Sequence, residues 1–178
     1  EKKELELLSA VDFIIQCTEK YRHEKITICA LGPLTNIAKV LTKNPRITEF
    51  VEEIVLMGGG FFEGGNITPA AEFNIYVDPE AAKIVLESGM KITMLPLDVT
   101  HKTLVQRDFL EKLRGSGKNS AVQAAKLLDF FERYDVEKYG SQGGPLHDPN
   151  VIVYLLNPEI YKGKLVNVEI EVNSELTR

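Results

Sequence analysis

The sequence predicts an α/β fold built on an open, mostly parallel, doubly wound sheet. Two observations predict it: short segments that are apolar throughout, and helix-like segments that separate them. Strands that lack polar alternation are typical of a parallel sheet whose two faces are both covered by helices. In such sheets ligands bind beyond the carboxyl ends of the strands. The polar residues that follow each strand are therefore the first candidates for a functional site.

The first half of the chain predicts two helices and two strands. Apolar residues at helical spacing predict a helix from about Lys3 to Tyr21. The compact apolar segment Ile26 to Leu31 predicts the first strand, and a helix from about Leu34 to Leu41 follows it. Ile54 to Met57 predicts the second strand, which runs directly into three glycines.

The second half continues the alternation. Asp78-Pro79 predicts a helix start, because aspartate is a good N-cap and proline fits the first helical position, and this helix is expected to run to about Ser88. Ile92 to Leu97 predicts a third buried strand, and Ser120 to Lys138 predicts a long helix. The alternation of apolar and polar residues from Leu165 to Val172 predicts a last, half-buried strand.

Composition narrows the class of protein. The 178 residues are 44% hydrophobic and 26% charged, which excludes a disordered or low-complexity chain and suits one domain. The net charge of −5 removes the electrostatic argument for binding nucleic acid, and no apolar run is long enough to span a bilayer. Two cysteines form neither a disulfide framework nor a zinc site by themselves. We expect a reduced, cytoplasmic protein without nucleic-acid or membrane partners.

A glycine-rich segment follows the second strand. Residues 58–66 contain five glycines, but they match neither a Walker phosphate loop nor the dinucleotide-binding pattern. Such a segment either lets the backbone approach a ligand closely or forms a mobile surface loop. Composition alone does not decide between the two.

Three polar residues at this edge are suited to a hydroxyl-rich ligand. Asn66, Glu72 and Asn74 offer one carboxylate and two amides, which match the donors and acceptors of a sugar. If the segment is extended, the side chains at positions 72 and 74 point to the same side. The alternative is that these side chains satisfy backbone groups of the loop.

A second candidate is the pair His147 and Asp148, which precedes Pro149. The pair is suited to acid–base work or metal binding, but Asp148 also fits a structural helix N-cap. His101 is expected to have a loop role. Phe130 and Phe131 have the spacing of packing residues, whereas Tyr134, one turn on, is a candidate for a pocket wall.

Five separated motifs together resemble the nucleoside hydrolases of the inosine–uridine-preferring type. They are 31–38 (LGPLTNIA), 55–60 (VLMGGG), 71–82 (AEFNIYVDPEAA), 97–100 (LDVT) and 147–149 (HDP). Members of that family hydrolyse the N-glycosidic bond of ribonucleosides to ribose and a free base, on an open α/β sheet that holds a calcium ion. The resemblance therefore implies a ribonucleoside substrate, calcium as cofactor, and a homo-oligomer, either dimer or tetramer.

The resemblance also implies roles for particular residues. The backbone carbonyl of Leu31 and the carboxylate of Asp148 correspond to calcium ligands, and His147 corresponds to the proposed general acid. The residues that would contact ribose or base are Asn66, Glu72, Phe73, Asn74, Tyr134 and Asp148.

One family motif is missing from the sequence. The cluster D-x-D-x-x-x-D-D, which supplies further calcium ligands and the water-activating base, occurs nowhere in the 178 residues. We therefore expect residues 1–178 to be the central and C-terminal part of a single domain, incomplete at the N-terminus and the C-terminus, whose activity needs a further N-terminal segment. The alternatives are an inactive ribonucleoside-binding chain, or a subunit that completes a site with a partner chain.

Overall fold

The computed structural model describes residues 7–139 and 143–174, apart from the side chains of 132–139. The helices and strands follow in this order: α1 (Ala10–Lys20), β1 (Ile26–Ala30), α2 (Thr35–Lys43), β2 (Val51–Met57), α3 (Phe73–Val77), α4 (Pro79–Leu86), β3 (Ile92–Leu95), α5 (Leu97–Thr100), β4 (Leu104–Val105), α6 (Arg107–Gly115), α7 (Asn119–Tyr139), β5 (Gly144–Pro145) and α8 (Pro149–Leu156). Short 3₁₀ turns lie at Pro45–Glu49 and Pro158–Ile160.

The central sheet has three parallel strands in the order β1-β2-β3. Ala30 of β1 pairs with Leu56, and Met57 of β2 pairs with Leu95 of β3, so the three carboxyl ends lie at one edge. Strands β4 and β5 form a separate antiparallel pair. The predicted α/β fold with a parallel sheet is confirmed.

Strand β2 is buried on both faces, as a doubly wound sheet requires. Ile54 and Leu56 point into a core shared with α2 and α4. The alternate residues Val55 and Met57 point into a second core, where Val151 of α8 packs against them. Helix α8 is therefore held against the sheet, and its N-terminus lies where a ligand site was expected.

Several boundaries follow from local chemistry. Asp78 caps α4 by accepting a hydrogen bond from the Ala81 N–H at 3.0 Å, as predicted. Helix α1 begins later than predicted, at Ala10, because Ser9 caps it through the N–H of Asp12. Strand β3 ends two residues early, since Pro96 cannot donate to a ladder and the next residues form α5.

The predicted strand from Leu165 to Val172 is wrong. Its alternation suits a strand, but it pairs with no strand among the described residues, and Leu165 is fully exposed. Ile170 nevertheless packs against the first core. Within residues 7–139 and 143–174, no helix combines the length and the apolar character that crossing a membrane requires.

Candidate active site

Glu72 lies at the carboxyl end of β2 and is almost fully buried, with 2% of its surface exposed. Its carboxylate accepts backbone hydrogen bonds from Gly59 at 3.0 Å, Asn74 at 2.9 Å and Ile75 at 3.3 Å. Two of these bonds cap helix α3, so the segment from 72 to 74 is not extended and the argument that its side chains point to the same side does not apply. The structural alternative for Glu72 is confirmed, and its ribose contact stays a prediction.

The environment of Glu72 raises the pKa of its carboxyl above the ordinary value. Burial raises the pKa of its carboxyl, the three backbone N–H groups oppose that rise, and the charge of Asp148 adds to it. The electrostatic effect of Asp148 links the two candidate groups, which are 76 residues apart in sequence. Glu72 is bonded to Gly59 just beyond β2, and His147 is bonded to Thr100 just beyond β3, so both groups lie at the carboxyl edge of the sheet.

Asn74 and Asn66 flank Glu72 and are both partly buried. The Asn74 side-chain amide donates to the Met57 carbonyl at 3.1 Å, which fixes it at the last residue of β2. The Asn66 carbonyl Oδ1 accepts from the Phe73 N–H at 2.9 Å, so the two ends of the intervening loop are tied together. Phe73 is about half exposed, as a pocket wall would be.

The glycine-rich segment is a tightly folded loop. A Cβ on Gly60 would lie 2.1 Å from the Gly64 carbonyl oxygen, and Gly64 has a positive φ of 72°. The carboxylate of Asp98 accepts hydrogen bonds from the N–H groups of Phe61 at 2.7 Å and Phe62 at 2.8 Å. Asp98, which lies outside the loop, therefore helps to hold the loop in its shape.

Asp98 also accepts from the Glu63 N–H at 3.3 Å, which makes three consecutive donors on one carboxylate. Burial would raise the pKa of Asp98, but these backbone hydrogen bonds outweigh it and hold the pKa below the usual value. Asp98 was placed at the site edge by its position after β3, but the sequence assigned it no role. Asp98 contacts residues that lie 35 to 37 positions earlier, and no local sequence pattern predicts contacts over such a separation.

His147 lies between α5 and the start of α8. Its Nδ1 atom is 2.8 Å from Oγ1 of the buried Thr100, and the two share a hydrogen bond. The His101 ring lies edge-on to it at a centroid distance of 5.8 Å, and His101 Nδ1 is 3.4 Å from Glu63 Oε2. Burial, together with the charge of His101, lowers the pKa of His147 to about 4. His101 lies at the end of α5, where a loop role was expected, and its ring also contacts His147.

Asp148 occupies the N-cap position of α8, but its side chain makes no capping hydrogen bond. Burial raises the pKa of its carboxyl. The capping hydrogen bond that the structural alternative requires is absent, and the role of Asp148 in ligand binding stays a prediction. Leu31 follows the last residue of β1 and is 41% exposed.

The oxygen donors fit calcium in kind but not in number. Calcium takes six to eight oxygen ligands, whereas the Leu31 carbonyl and the Asp148 carboxylate supply two groups. Within the part of the chain that the structure describes, no cluster of three or more His, Cys, Asp or Glu side chains is arranged to hold a metal ion. The described residues do not form a complete calcium site.

The predictions for the aromatic residues on α7 have different outcomes. The side chain of Tyr134 lies outside the described residues, so its contact with a base stays a prediction. Phe130 and Phe131 are mostly exposed, at 73% and 59%, so the expectation that they pack in the core is wrong.

Comparisons with known proteins place the chain in one group. A family model described as inosine-uridine preferring nucleoside hydrolase matches residues 1–178. An uncharacterized protein of Schizosaccharomyces pombe is 49% identical over 168 residues, which cover 94% of this chain and 54% of that protein. The pyrimidine-specific ribonucleoside hydrolase RihA of Shewanella oneidensis is 46% identical over 171 residues, which cover 96% of this chain and 53% of that protein.

A solved structure agrees with the sequence comparisons. The purine-preferring ribonucleoside hydrolase of Gardnerella vaginalis superposes with a TM-score of 0.90 at 34% identity, and the match covers 97% of this chain and 55% of that chain. This chain therefore spans about half the length of the relatives that it matches.

Proposed function

The chain belongs to the inosine-uridine preferring nucleoside hydrolase family, and on that premise we propose that it hydrolyses the N-glycosidic bond of ribonucleosides. The products are ribose and a free base. The observation that supports this most is that the Asn66–Glu72–Asn74 group and His147 are each bonded to residues at the carboxyl ends of neighbouring strands, Met57 at the end of β2 and Thr100 beyond β3. Similar proteins are named for pyrimidine and for purine ribonucleosides, so both base classes belong to the proposal.

The sugar end of the site is proposed to orient the ribose. Asn66 and Asn74 each offer amide groups beside the fixed carboxylate of Glu72. Three of the acceptor positions on Glu72 are used by backbone N–H groups, which leaves one of about four for a hydroxyl. Because the protein holds these groups before the substrate arrives, little rearrangement is needed when positive charge develops on the sugar.

The base end of the site is proposed to neutralise the leaving group. His147 would donate a proton to the departing base while Thr100 holds its ring in place. Burial keeps the imidazole neutral at neutral pH in the free protein, since it lowers the pKa to about 4. To act as the acid, His147 must first take up a proton from solvent, and it then passes that proton to the departing base. Negative charge on the base favours this imidazolium form, because an opposite charge nearby raises a histidine pKa.

In this proposal, calcium binds at a site to which the described residues supply only some of the ligands. The Leu31 carbonyl and the Asp148 carboxylate would be two of its ligands, and the others would come from outside the described residues. When bound, calcium would act as a Lewis acid towards oxygen ligands. Asp148 is also proposed to contact the ribose hydroxyls directly, which its uncapped carboxylate permits. Residues 1–178 are then the central and C-terminal part of one domain.

The experiment that tests this function measures both products. The protein is incubated with uridine, cytidine and inosine, with and without calcium, and with and without a segment that carries the D-x-D-x-x-x-D-D cluster, and free base and reducing sugar are quantified. We expect equal amounts of base and ribose from at least one nucleoside when that cluster and calcium are supplied. Calorimetric titration with the same nucleosides runs in parallel.

A second function is an inactive ribonucleoside-binding chain, or one that completes its site with a partner chain. The observation that favours it is the small number of oxygen donors at Leu31 and Asp148. Nucleoside binding without product would support this second function and contradict hydrolysis by this chain. If the protein neither binds a nucleoside nor releases products, both proposed functions are contradicted.

A further inference from the structure

Asn150 is a buried polar residue that the reaction does not use directly. It is the second residue of α8, and only 3% of its surface is exposed. Burying an amide is costly unless its donors and acceptors are paired. The side chain of Asn150 is paired at both ends. Its contacts therefore indicate which parts of the structure it holds.

The donors of Asn150 hold the two residues that precede Asp148. Its side-chain amide donates a short hydrogen bond to the Leu146 carbonyl. Its backbone N–H donates to the His147 carbonyl at 3.3 Å. The carbonyl groups on both sides of the His147 N–Cα–C unit are thus bound to one residue. The backbone of this unit sets the position of the imidazole.

The acceptor of Asn150 connects this segment to the opposite side of the site. Its Oδ1 accepts from Thr103 Oγ1 at 3.1 Å and from the Tyr161 hydroxyl at 2.8 Å. Thr103 also accepts the Leu146 N–H at its carbonyl, at 2.8 Å, and follows Thr100 by three residues. The two elements that share the Thr100–His147 hydrogen bond are therefore joined a second time, through Asn150.

We propose that Asn150 is a positioning residue that fixes His147 and Asp148 relative to Thr100, with Thr103 and Tyr161 as its supports. The catalytic part of this inference rests on the proposed function of His147 and Asp148. A displacement of about 1 Å at a reacting group costs about 10²-fold in rate, so the loss of this connection should be visible in turnover.

The test uses Asn150→Leu, which keeps the branching of the side chain and removes all its hydrogen bonds. Asn157→Leu is the matched control, because Asn157 is exposed at the other end of the same helix. Thr103→Val and Tyr161→Phe each remove one hydrogen bond to Asn150 Oδ1 with little change in shape. Nitrogen-15 NMR of the histidine rings reports the environment of His147, and the chain has only three histidines.

We expect the His147 signals to move in Asn150→Leu, to move less in the two supporting variants, and to stay in place in Asn157→Leu. If the hydrolase is active, kcat for uridine or inosine should fall about 10²-fold in Asn150→Leu. A lower melting temperature with unmoved His147 signals and normal kcat would overturn the proposal, because Asn150 would then only stabilise α8.

Two other outcomes are also decisive. If Asn150→Leu does not fold, unmoved His147 signals in both Thr103→Val and Tyr161→Phe overturn the proposal, and displaced signals support it. If the parent protein hydrolyses no nucleoside, the proposed function fails, whereas the histidine signals still decide whether Asn150 positions His147.

Discussion

Oγ1 of Thr100 lies 2.8 Å from Nδ1 of His147, although 47 residues separate the two in sequence. Thr100 is fully buried at the end of α5, and its hydroxyl has no freedom to follow a moving ring. The Thr100 hydroxyl can donate or accept, so the hydrogen bond is compatible with either tautomer of a neutral imidazole. Thr100 therefore holds the His147 ring with Nδ1 turned towards the end of α5, which leaves Nε2 for a ligand.

Thr100→Val should lower turnover while preserving the fold. Valine has the shape of threonine but no hydroxyl, so His147 loses the partner that orients it. One such hydrogen bond contributes about 0.5–1.5 kcal/mol, which corresponds to about a 2- to 13-fold loss in kcat. Thr42→Val is the control, because it also removes one hydrogen bond, from Thr42 Oγ1 to the Ala38 carbonyl at 2.8 Å, on a helix away from the site. Equal kcat values in the two variants would contradict the role of Thr100.

The hydrogen bond between Thr100 and His147 also shows which part of the site the sequence could predict. The position of Asp98 to Thr100 at the sheet edge follows from the apolar segment before them, which predicts the third strand. No such segment precedes His147. Which of these side chains touch depends on how α5 and α8 approach each other. That approach is set by packing of Val151 on the second core, which no local pattern encodes.

In the fold too, elements that depend on neighbouring residues were predicted, whereas elements that depend on distant residues were not. The start of α4 was predicted because Asp78 and Pro79 act within one turn of the chain. The helix α3 was missed because its cap is Glu72, whose carboxylate is held in place by Gly59, a residue of another segment. The strand expected at 165–172 does not form. Alternation of apolar and polar residues makes a strand possible, but a strand also needs a neighbouring strand to pair with, and it has none among the described residues.

Gly60→Ala should unfold the glycine-rich loop. The added Cβ would lie 2.1 Å from the Gly64 carbonyl oxygen, which is backbone and cannot move aside as a side chain would. Forced repacking of this kind costs about 1–3 kcal/mol. We expect a lower melting temperature and weaker nucleoside binding, since Asn66 follows this loop. Gly115→Ala is the control, as no atom lies within 4 Å of its Cβ position. A normal melting temperature for Gly60→Ala would show that the loop adapts.

Asp98 should make the protein sensitive to acid. Burial raises the pKa of this carboxyl, but hydrogen bonds from the N–H groups of Phe61, Phe62 and Glu63 outweigh it, so the folded pKa lies below the unfolded one. The stabilisation is therefore complete above the unfolded value, near 3.9, and is lost as the pH falls through the folded pKa. The melting temperature of the parent should exceed that of Asp98→Asn at neutral pH, and the gap should close on acidification below about pH 4.

The control for Asp98 is Asp108→Asn on α6, where the carboxylate is exposed and pairs with Lys112. Its melting temperature should follow that of the parent at every pH. A constant gap between parent and Asp98→Asn across the whole acid range would contradict the role of the three hydrogen bonds.

Asp148→Ala should weaken ribonucleoside binding and any response to calcium together. The carboxylate is not used as a helix cap, so its removal costs the fold little. A hydrogen bond to a charged group contributes about 1.5–3 kcal/mol, which corresponds to about a 10- to 150-fold loss of affinity. Calorimetry with uridine and metal analysis after dialysis against calcium measure the two effects. Full calcium content with normal nucleoside affinity would remove Asp148 from both roles.

His147→Ala should affect substrates according to their leaving group. If His147 protonates the departing base, its loss should lower kcat for inosine by about 10²–10⁴-fold, the usual range for general acid catalysis. A nitrophenyl riboside should lose far less, because its leaving group is stable as an anion and the ribose contacts of Asn66, Glu72 and Asn74 are unchanged. His23→Ala is the matched control, since His23 is exposed and its Nε2 accepts a hydrogen bond from the neighbouring Arg22. KM should change little for either substrate if the role is purely in proton transfer. Equal losses on both substrates, together with a lower melting temperature, would mean that His147 shapes the turn before Pro149 and does not act as the acid.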